Sequence, residues 1–253
     1  ILLLGFFVLL FIIYPIFAVL QHSVMDGQGA FHPSLFLETL QRYKSFWRVL
    51  RNSLGLAVFV GVASTLIGLA FALAATRSRS RLTVLLRSFS LLPMITPPFV
   101  VGLAIILLFG LQGLVTSVLL GLQTRGIFGF PGVALAQTLS FAPVAFLVIA
   151  SVVEGVNPAL EEASLTLRAG PWETFWKVTL PLLRPGVANA FLLTIVESLA
   201  DFGNPIILGG EFEVLSTEVY FAIIGRFDKT LAASLGIVLL SASLVTFVLQ
   251  QFW

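Results

Sequence analysis

Six apolar windows, each long enough to cross a bilayer, constrain this chain more than any motif in it. They run from Ile1 to Leu20, Ser53 to Thr76, Ser88 to Leu111, Pro131 to Val153, Gly186 to Leu208 and Thr230 to Gln250. A bilayer helix needs about 20 consecutive, mostly apolar residues, because its backbone amides must be satisfied within the segment. The second, third, fourth and sixth windows hold no Asp, Glu, Lys or Arg. A transmembrane barrel would show alternating segments of about ten residues instead. The pattern predicts an all-α, polytopic membrane protein of six transmembrane helices, with residues 1–253 as one transmembrane domain.

Composition excludes the other classes. Charged residues make up only 10% of the chain and apolar types 58%, whereas soluble domains carry about 25% charged residues. Its 26 charged side chains cannot cover a water-soluble fold of this size. A formal charge of +2 without a basic stripe leaves nothing to bind nucleic acid. With no cysteine there is neither a disulfide framework nor thiolate chemistry, and His22 and His32 lack carboxylates at ligand spacing. There is no phosphate loop ending in Gly-Lys-Ser/Thr, no nucleophile elbow and no His-Glu-x-x-His, so no catalytic set is legible. The first window has no basic region before it and is too long for a secretory signal. The chain starts and stops almost at a span, as a piece of a longer protein would.

Charge bias does not orient the spans. Arg77, Arg79, Arg81, Arg87, Arg168, Lys177 and Arg184 fall on one side, and Arg42, Lys44, Arg48, Arg51, Arg125, Arg226 and Lys229 on the other. That is a tie under the positive-inside rule. Between the first two spans, Phe36, Leu40, Tyr43, Trp47 and Leu50 recur at spacings of three and four, predicting an interfacial amphipathic helix. Asn52 and Ser53 read as a cap on the helix that follows. The glycine-interrupted stretch from Gln112 to Phe130 reads as surface-lying or partly re-entrant, and no function attaches to it. Ala57, Gly61, Ser64, Gly68 and Ala72 put small residues on one face of the second span, which permits close packing.

The loop between the fourth and fifth spans, 154–185, is richer. Asn157 can cap a helix starting at Pro158, and Gly170-Pro171 stops it. A second short helix, Trp172 to Leu180, is predicted to end before Pro181. Trp172, Phe175, Trp176 and Leu180 give this knob an apolar side. Two readings fit: a docking site for a partner protein, or aromatics that touch the ends of neighbouring spans.

In the fifth span, Glu197 and Asp201 are four apart and share a helical face, with Asn204-Pro205 one turn on. A carboxylate at mid-bilayer costs about 2.5–3.5 kcal/mol on insertion scales, so this face turns inward. It reads either as the lining or gate of a translocation path or as a structural cluster. Gln137, Thr138 and Ser140 in the fourth span are further lining candidates, since each needs a hydrogen-bond partner. Met94-Ile95-Thr96-Pro97-Pro98 and Pro143 mark irregular helices. A secondary transporter or channel using the two acids as ion sites is the alternative class, but no second copy of the fifth-span pattern is visible.

The 154–185 loop resembles the signature of type I ABC importer permeases: Glu-Ala-Ala, three residues, Gly, and further on a hydrophobic-Leu-Pro ending. Glu162-Ala163-Ser164 occupies the opening and Leu180-Pro181 the end. The family's first glycine falls on Arg168 here, while Gly170-Pro171 fits a common variant. Either the turn moves to Gly170, or Arg168 reshapes the contact. Asp201 to Pro205, Gly209-Gly210 and Leu215 to Glu218 resemble the ferric-iron branch, closest to the amino-terminal half of a fused permease. Permeases for aminoalkylphosphonates, thiamine or polyamines look similar. The resemblance implies a MetI-like permease fold in the bacterial inner membrane and a non-catalytic subunit of an ATP-driven importer. It implies a cytoplasmic coupling loop that seats on an ABC ATPase dimer through Glu161, Glu162, Ala163, Ser164, Arg168, Gly170, Pro171, Phe175, Leu180 and Pro181. It also implies a periplasmic substrate-binding protein and a second six-helix half as partners. ATP and Mg would then sit on the ATPase and no cofactor on this chain.

Overall fold

The computed structural model describes residues 2–25, 30–77, 97–122 and 125–251. Among these, six helices are long and apolar enough to span a membrane. The first is α1, Leu3–Val24, followed by a short amphipathic α2, Ser34–Arg42. Helix α3 runs over Phe46–Arg77 and α4 over Pro98–Phe109, continued by a π-helical turn at Leu114–Leu119. Then come α5, Phe130–Gly155, the short α6, Ala159–Thr166, and α7, Pro171–Ala200. Two short helices, α8 at Gly203–Leu208 and α9 at Leu215–Ile224, precede the last span, α10, Lys229–Gln251.

Helices α3, α5 and α7 pack most extensively on one another, and α5 is the most enclosed span. Lipid tails are as apolar as leucine, so helices in a bilayer associate where their backbones can come close. That is the work of the small-residue face of α3. A Cβ on Gly68 would lie 2.7 Å from the backbone nitrogen of Phe146, and one on Gly61 2.8 Å from Ile195 Cγ1. Ala57, Ser64 and Ala72 are buried along the same face. Gly186 of α7 meets Val152 of α5 in the same way, at 2.7 Å. By contrast α1, built of large apolar residues all round, packs on α10 and α2 and buries none of its central window. It is a peripheral helix.

Three expectations are corrected. Helix α3 begins at Phe46, so Asn52 and Ser53 lie inside it and cap nothing. Asn52 Nδ2 donates to the Glu213 carbonyl at 3.0 Å, and Ser53 Oγ accepts the Leu215 amide at 2.7 Å. The amphipathic run is divided at Tyr43, whose extended backbone (ψ 92°) ends α2, and Trp47 and Leu50 belong to α3. In the fourth loop the second helix does not stop before Pro181 but continues as α7, so this span covers 171–200 and not 186–208. A π turn at Phe175–Thr179, closed by the Leu180 amide on the Phe175 carbonyl, precedes Pro181 and absorbs the registry change that its missing N–H imposes. Residues 88–96 of the third window, including Met94-Ile95-Thr96, lie outside the described residues, as do Arg79, Arg81 and Arg87. The described part of that span, Phe99–Leu119, takes in the start of the stretch read as surface-lying.

Candidate functional site

The polar residues of the bundle meet where α7 ends. Asp201 leaves helical geometry (φ −70°, ψ 120°), although its amide still donates to the Glu197 carbonyl at 3.0 Å. Its Oδ1 accepts the amides of Gly203 at 2.9 Å and Asn204 at 3.4 Å, and Oδ2 accepts Asn204 Nδ2 at 2.8 Å and Gln137 Nε2 at 2.9 Å. Gln137 Oε1 in turn accepts Ser198 Oγ at 2.6 Å, and Ser216 Oγ donates to the Asp201 carbonyl at 2.8 Å. Gln137 and Asn204 are fully buried.

Asp201 thus closes the last turn of α7, one turn beyond Glu197 and on the same face, and the chain leaves the helix after it. A carboxylate just before a run of free amides caps them, because an ionised acceptor satisfies helix-start donors better than water does there. Asp201 thus ends α7 three residues before Asn204 and starts α8, with Pro205 inside the new helix. Both acids line one cavity of about 290 Å³, together with Phe99, Phe141, Ala200, Phe202 and Gly203. Glu197 is exposed on it and Asp201 is half-buried.

Of the fourth-span candidates, Gln137 alone reaches this network. Ser140 Oγ bonds back to the Ala136 carbonyl at 2.8 Å, and Thr138 is buried with its Oγ1 unpaired among the described residues. Sequence reading missed Ser198 and Phe99, and took in Ser216 only as part of the Leu215 to Glu218 run. Ser198 carried no signal, being a single hydroxyl in apolar sequence.

The second candidate region is the knob formed by α6 and the start of α7. Asn157 Oδ1 accepts the Ala159 amide at 3.0 Å, as a helix-starting residue should. At the other end Arg168 itself adopts the left-handed conformation (φ 66°). Its amide donates to the Leu165 carbonyl at 3.0 Å and that of Ala169 to Ser164 at 3.2 Å, the paired bonds of a Schellman turn. The turn does not move to Gly170, which is extended (ψ 162°). Pro171 holds the residue before it in the extended region, so the left-handed residue must come earlier.

Thr179 Oγ1 donates to Glu161 Oε1 at 2.6 Å, and the hydroxyls of Ser164 and Thr174 are 3.0 Å apart, tying α6 to α7. Trp172 stacks on Phe175 and Trp176 meets both edge-on, with centroids 5.5–5.8 Å apart. Phe175, Leu180 and Pro181 are half-buried, while Glu162, Ala163, Arg168, Gly170 and Pro171 are exposed. Trp172 is 71% exposed and Leu167 83%, so the knob presents an apolar surface outward and does not fold it onto the spans.

A further charged group lies away from both regions. Glu218, 3% exposed, accepts the Tyr43 hydroxyl at 2.5 Å and pairs with Arg226 at 2.8 Å, and the Arg226 guanidinium lies 5.4 Å from the Tyr43 ring centre. Burial first, then the hydrogen bond to Glu218, hold the Tyr43 phenol well above its ordinary pKa. Among the described residues, no group of three or more His, Asp or Glu side chains comes together as metal ligands would.

Six spans, a three-helix centre with a polar break and a cross-linked helical knob define a polytopic all-helical membrane protein, and the family match makes it a permease of the ABC importer type. The chain belongs to the binding-protein-dependent transport system inner membrane component family, whose profile matches residues 64–252, and it is a multi-pass inner-membrane protein. It is 45% identical over 249 residues to a Haemophilus influenzae protein named as a candidate ferric transport system permease, FbpB 1; the match covers 96% of this chain and 39% of that one. To the ferric transport system permease protein FbpB of Actinobacillus pleuropneumoniae it is 44% identical over 96% of this chain and 36% of that one. The molybdenum transport system permease ModB of Mycobacterium tuberculosis is 33% identical over 79% of this chain and 81% of its own. In fold the chain is similar to a bacterial ABC transporter involved in the import of alginate. There the TM-score is 0.80 at 20% identity, over 98% of this chain and 89% of that one. The inward-facing MetNI methionine transporter is similar at a TM-score of 0.64 and 18% identity, over 81% of this chain and 92% of that one. The chain spans less than two fifths of the length of the two ferric relatives.

Proposed function

We propose that this chain is half of the membrane channel of an ATP-driven importer for ferric iron, and the amino-terminal half of a fused permease. The observation that carries the cargo is the 45% and 44% identity over 96% of the chain to two permeases named for ferric transport, against 33% over 79% to one named for molybdenum. The remaining length of the ferric relatives supports a second six-span unit in the same polypeptide.

In this reading the knob is the cytoplasmic coupling element. Its exposed Leu167, Trp172 and Trp176 offer an apolar seat for an ABC ATPase, and the bonds from Thr179 to Glu161 and between Ser164 and Thr174 make it rigid enough to transmit movement. This chain supplies no catalytic group and holds no cofactor. ATP and Mg bind the ATPase dimer, whose closure moves the knobs and re-packs the spans between inward-open and outward-open arrangements. A periplasmic binding protein delivers the cargo to the side carrying Glu211 and Glu213. The cavity of Glu197 lies on the path.

ATP-dependent uptake of radioiron into proteoliposomes holding the full-length permease, its ATPase and its binding protein tests the assignment. Uptake of molybdate or sulfate in place of iron would overturn the cargo. Orientation is tested separately: a cysteine at Glu213 should react with a membrane-impermeant maleimide outside spheroplasts, and one at Glu162 should not.

A further inference from the structure

Glu197 and Asp201 are different kinds of carboxylate, and the geometry separates their roles. We infer that Asp201 is a positioning residue, which fixes the break between α7 and α8 and so holds one wall of the cavity, and that it does not itself meet cargo. The inference rests on the reading that this cavity belongs to the translocation path.

Asp201 has no acceptor capacity to spare. Four N–H donors, from Gly203, Asn204 (twice) and Gln137, lie within 2.8–3.4 Å of its two oxygens. An ionised carboxylate accepting this many donors is held in place by all of them, and each charge-assisted bond is roughly twice as strong as a neutral one. Ser198 fixes Gln137 from the α7 side, so the donor on α5 cannot rotate away. The network joins α5, the end of α7 and the start of α8 through side chains that are mostly buried. Helix α4 leans on it at a glycine: a Cβ on Gly102 would come 3.1 Å from Asn204 Oδ1, which has no hydrogen-bond partner among the described residues. Phe99, on the same helix, is a cavity wall. The shape of the cavity therefore depends on where Asp201 sets α8 against α4. Glu197, exposed on the same cavity and outside the network, is the carboxylate left to meet what passes.

Four variants of the full-length permease, in complex with its ATPase and binding protein, test this: D201N, Q137E, the double swap D201N/Q137E, and E197Q. D201N places an NH2 group against the amide donors of Gln137 and Asn204. Amide exchange at Gly203 and Asn204 should rise about tenfold, and iron carried per ATP hydrolysed should fall severalfold while the KM for loaded binding protein stays unchanged. The double swap restores a donor–acceptor pair, since the amide introduced at position 201 can donate to the carboxylate introduced at position 137 and to a rotated Asn204 carbonyl. It should recover both exchange protection and coupling, whereas Q137E alone, with two carboxylates facing each other, should not. A direct cargo contact by the carboxylate at position 201 would not be rescued in coupling by a swap that leaves no carboxylate there. If D201N raises KM while exchange at 203–204 stays at the wild-type rate, Asp201 is a cargo contact and the inference is overturned. Should D201N fail to assemble, Ser198→Ala removes one bond of the network and should show the same pair of changes at smaller amplitude; no change in either would also overturn it. E197Q should slow uptake without changing exchange at 203–204. Wild-type uptake by E197Q would overturn the path reading instead, leaving the D201N exchange result to decide the positioning role by itself.

Discussion

Thr179 donates its hydroxyl to the carboxylate of Glu161 at 2.6 Å, joining the π turn at the start of α7 to the first turn of α6. Thr179 is 1% exposed and Glu161 half-buried, so this bond is shielded on one side only. It fixes the angle at which the knob leaves the bundle. A hydrogen bond to a charged group contributes about 1.5–3 kcal/mol, less where water screens it. Thr179→Val keeps the shape and removes the donor. Amide exchange across 159–166 should rise about tenfold, and copurification of the ATPase should fall, while the spans stay folded.

Arg168 sits where only glycine is free of steric cost, with φ at 66°. A non-glycine residue there costs about 1–2 kcal/mol. Arg168→Gly should therefore slow exchange of the amides at positions 168 and 169, while Arg168→Ala, which keeps the cost and loses the charge, should leave it near the wild-type rate. Faster exchange in the glycine variant would show that the guanidinium holds the turn.

The close crossing of α3 and α5 makes a sharp claim about Gly68. A Cβ there would lie 2.7 Å from the Phe146 backbone nitrogen and 2.8 Å from Ala145 Cβ, atoms that cannot move separately from α5. Gly68→Ala should lower thermal stability in detergent by the equivalent of about 1–3 kcal/mol, as overpacking does. Gly55→Ala on the same helix, where nothing lies within 4 Å, should be neutral or slightly stabilising. Equal melting temperatures for the two variants would contradict the packing described.

Tyr43 carries a pH prediction whose sign follows from its partners. Its pKa is raised above the ordinary value of 10.0, first by burial and then by the hydrogen bond to Glu218, with Glu213 adding to the rise and Arg226 opposing it. The folded state therefore favours the protonated phenol. That stabilisation is complete below pH 10 and is lost as pH rises toward and through the raised value. Tyr43→Phe should remove the alkaline loss attributable to this group, measured as melting temperature against pH from about 8 to about 11. Phenolate absorbance of the folded wild type, compared with Tyr43→Phe, should show that Tyr43 resists titration.

What the residues determined alone follows from signals that are local. Hydropathy and window length place six spans, because lipid forces each segment to satisfy its own backbone. Small residues at helical spacing mark the face of α3 that packs, since side-chain volume limits how near two backbones come. Asn157 before Pro158 starts a helix whatever surrounds it. The tertiary structure decided matters that depend on partners remote in sequence. Pro181 reads as a stop, yet the helix passes through it, because a π turn satisfies the backbone in a bundle that holds both sides in line. Asn52 and Ser53 read as a cap, yet their bonding groups serve Glu213 and Leu215, more than 160 residues away. Glu197 and Asp201 read as one face, and both line one cavity. Spacing could not say that α7 ends at Asp201, or that its carboxylate is taken by the amides of Gly203 and Asn204 and by Gln137, 64 residues earlier. Periodicity gives the direction of a side chain, but which donors meet it there depends on what the fold brings within reach.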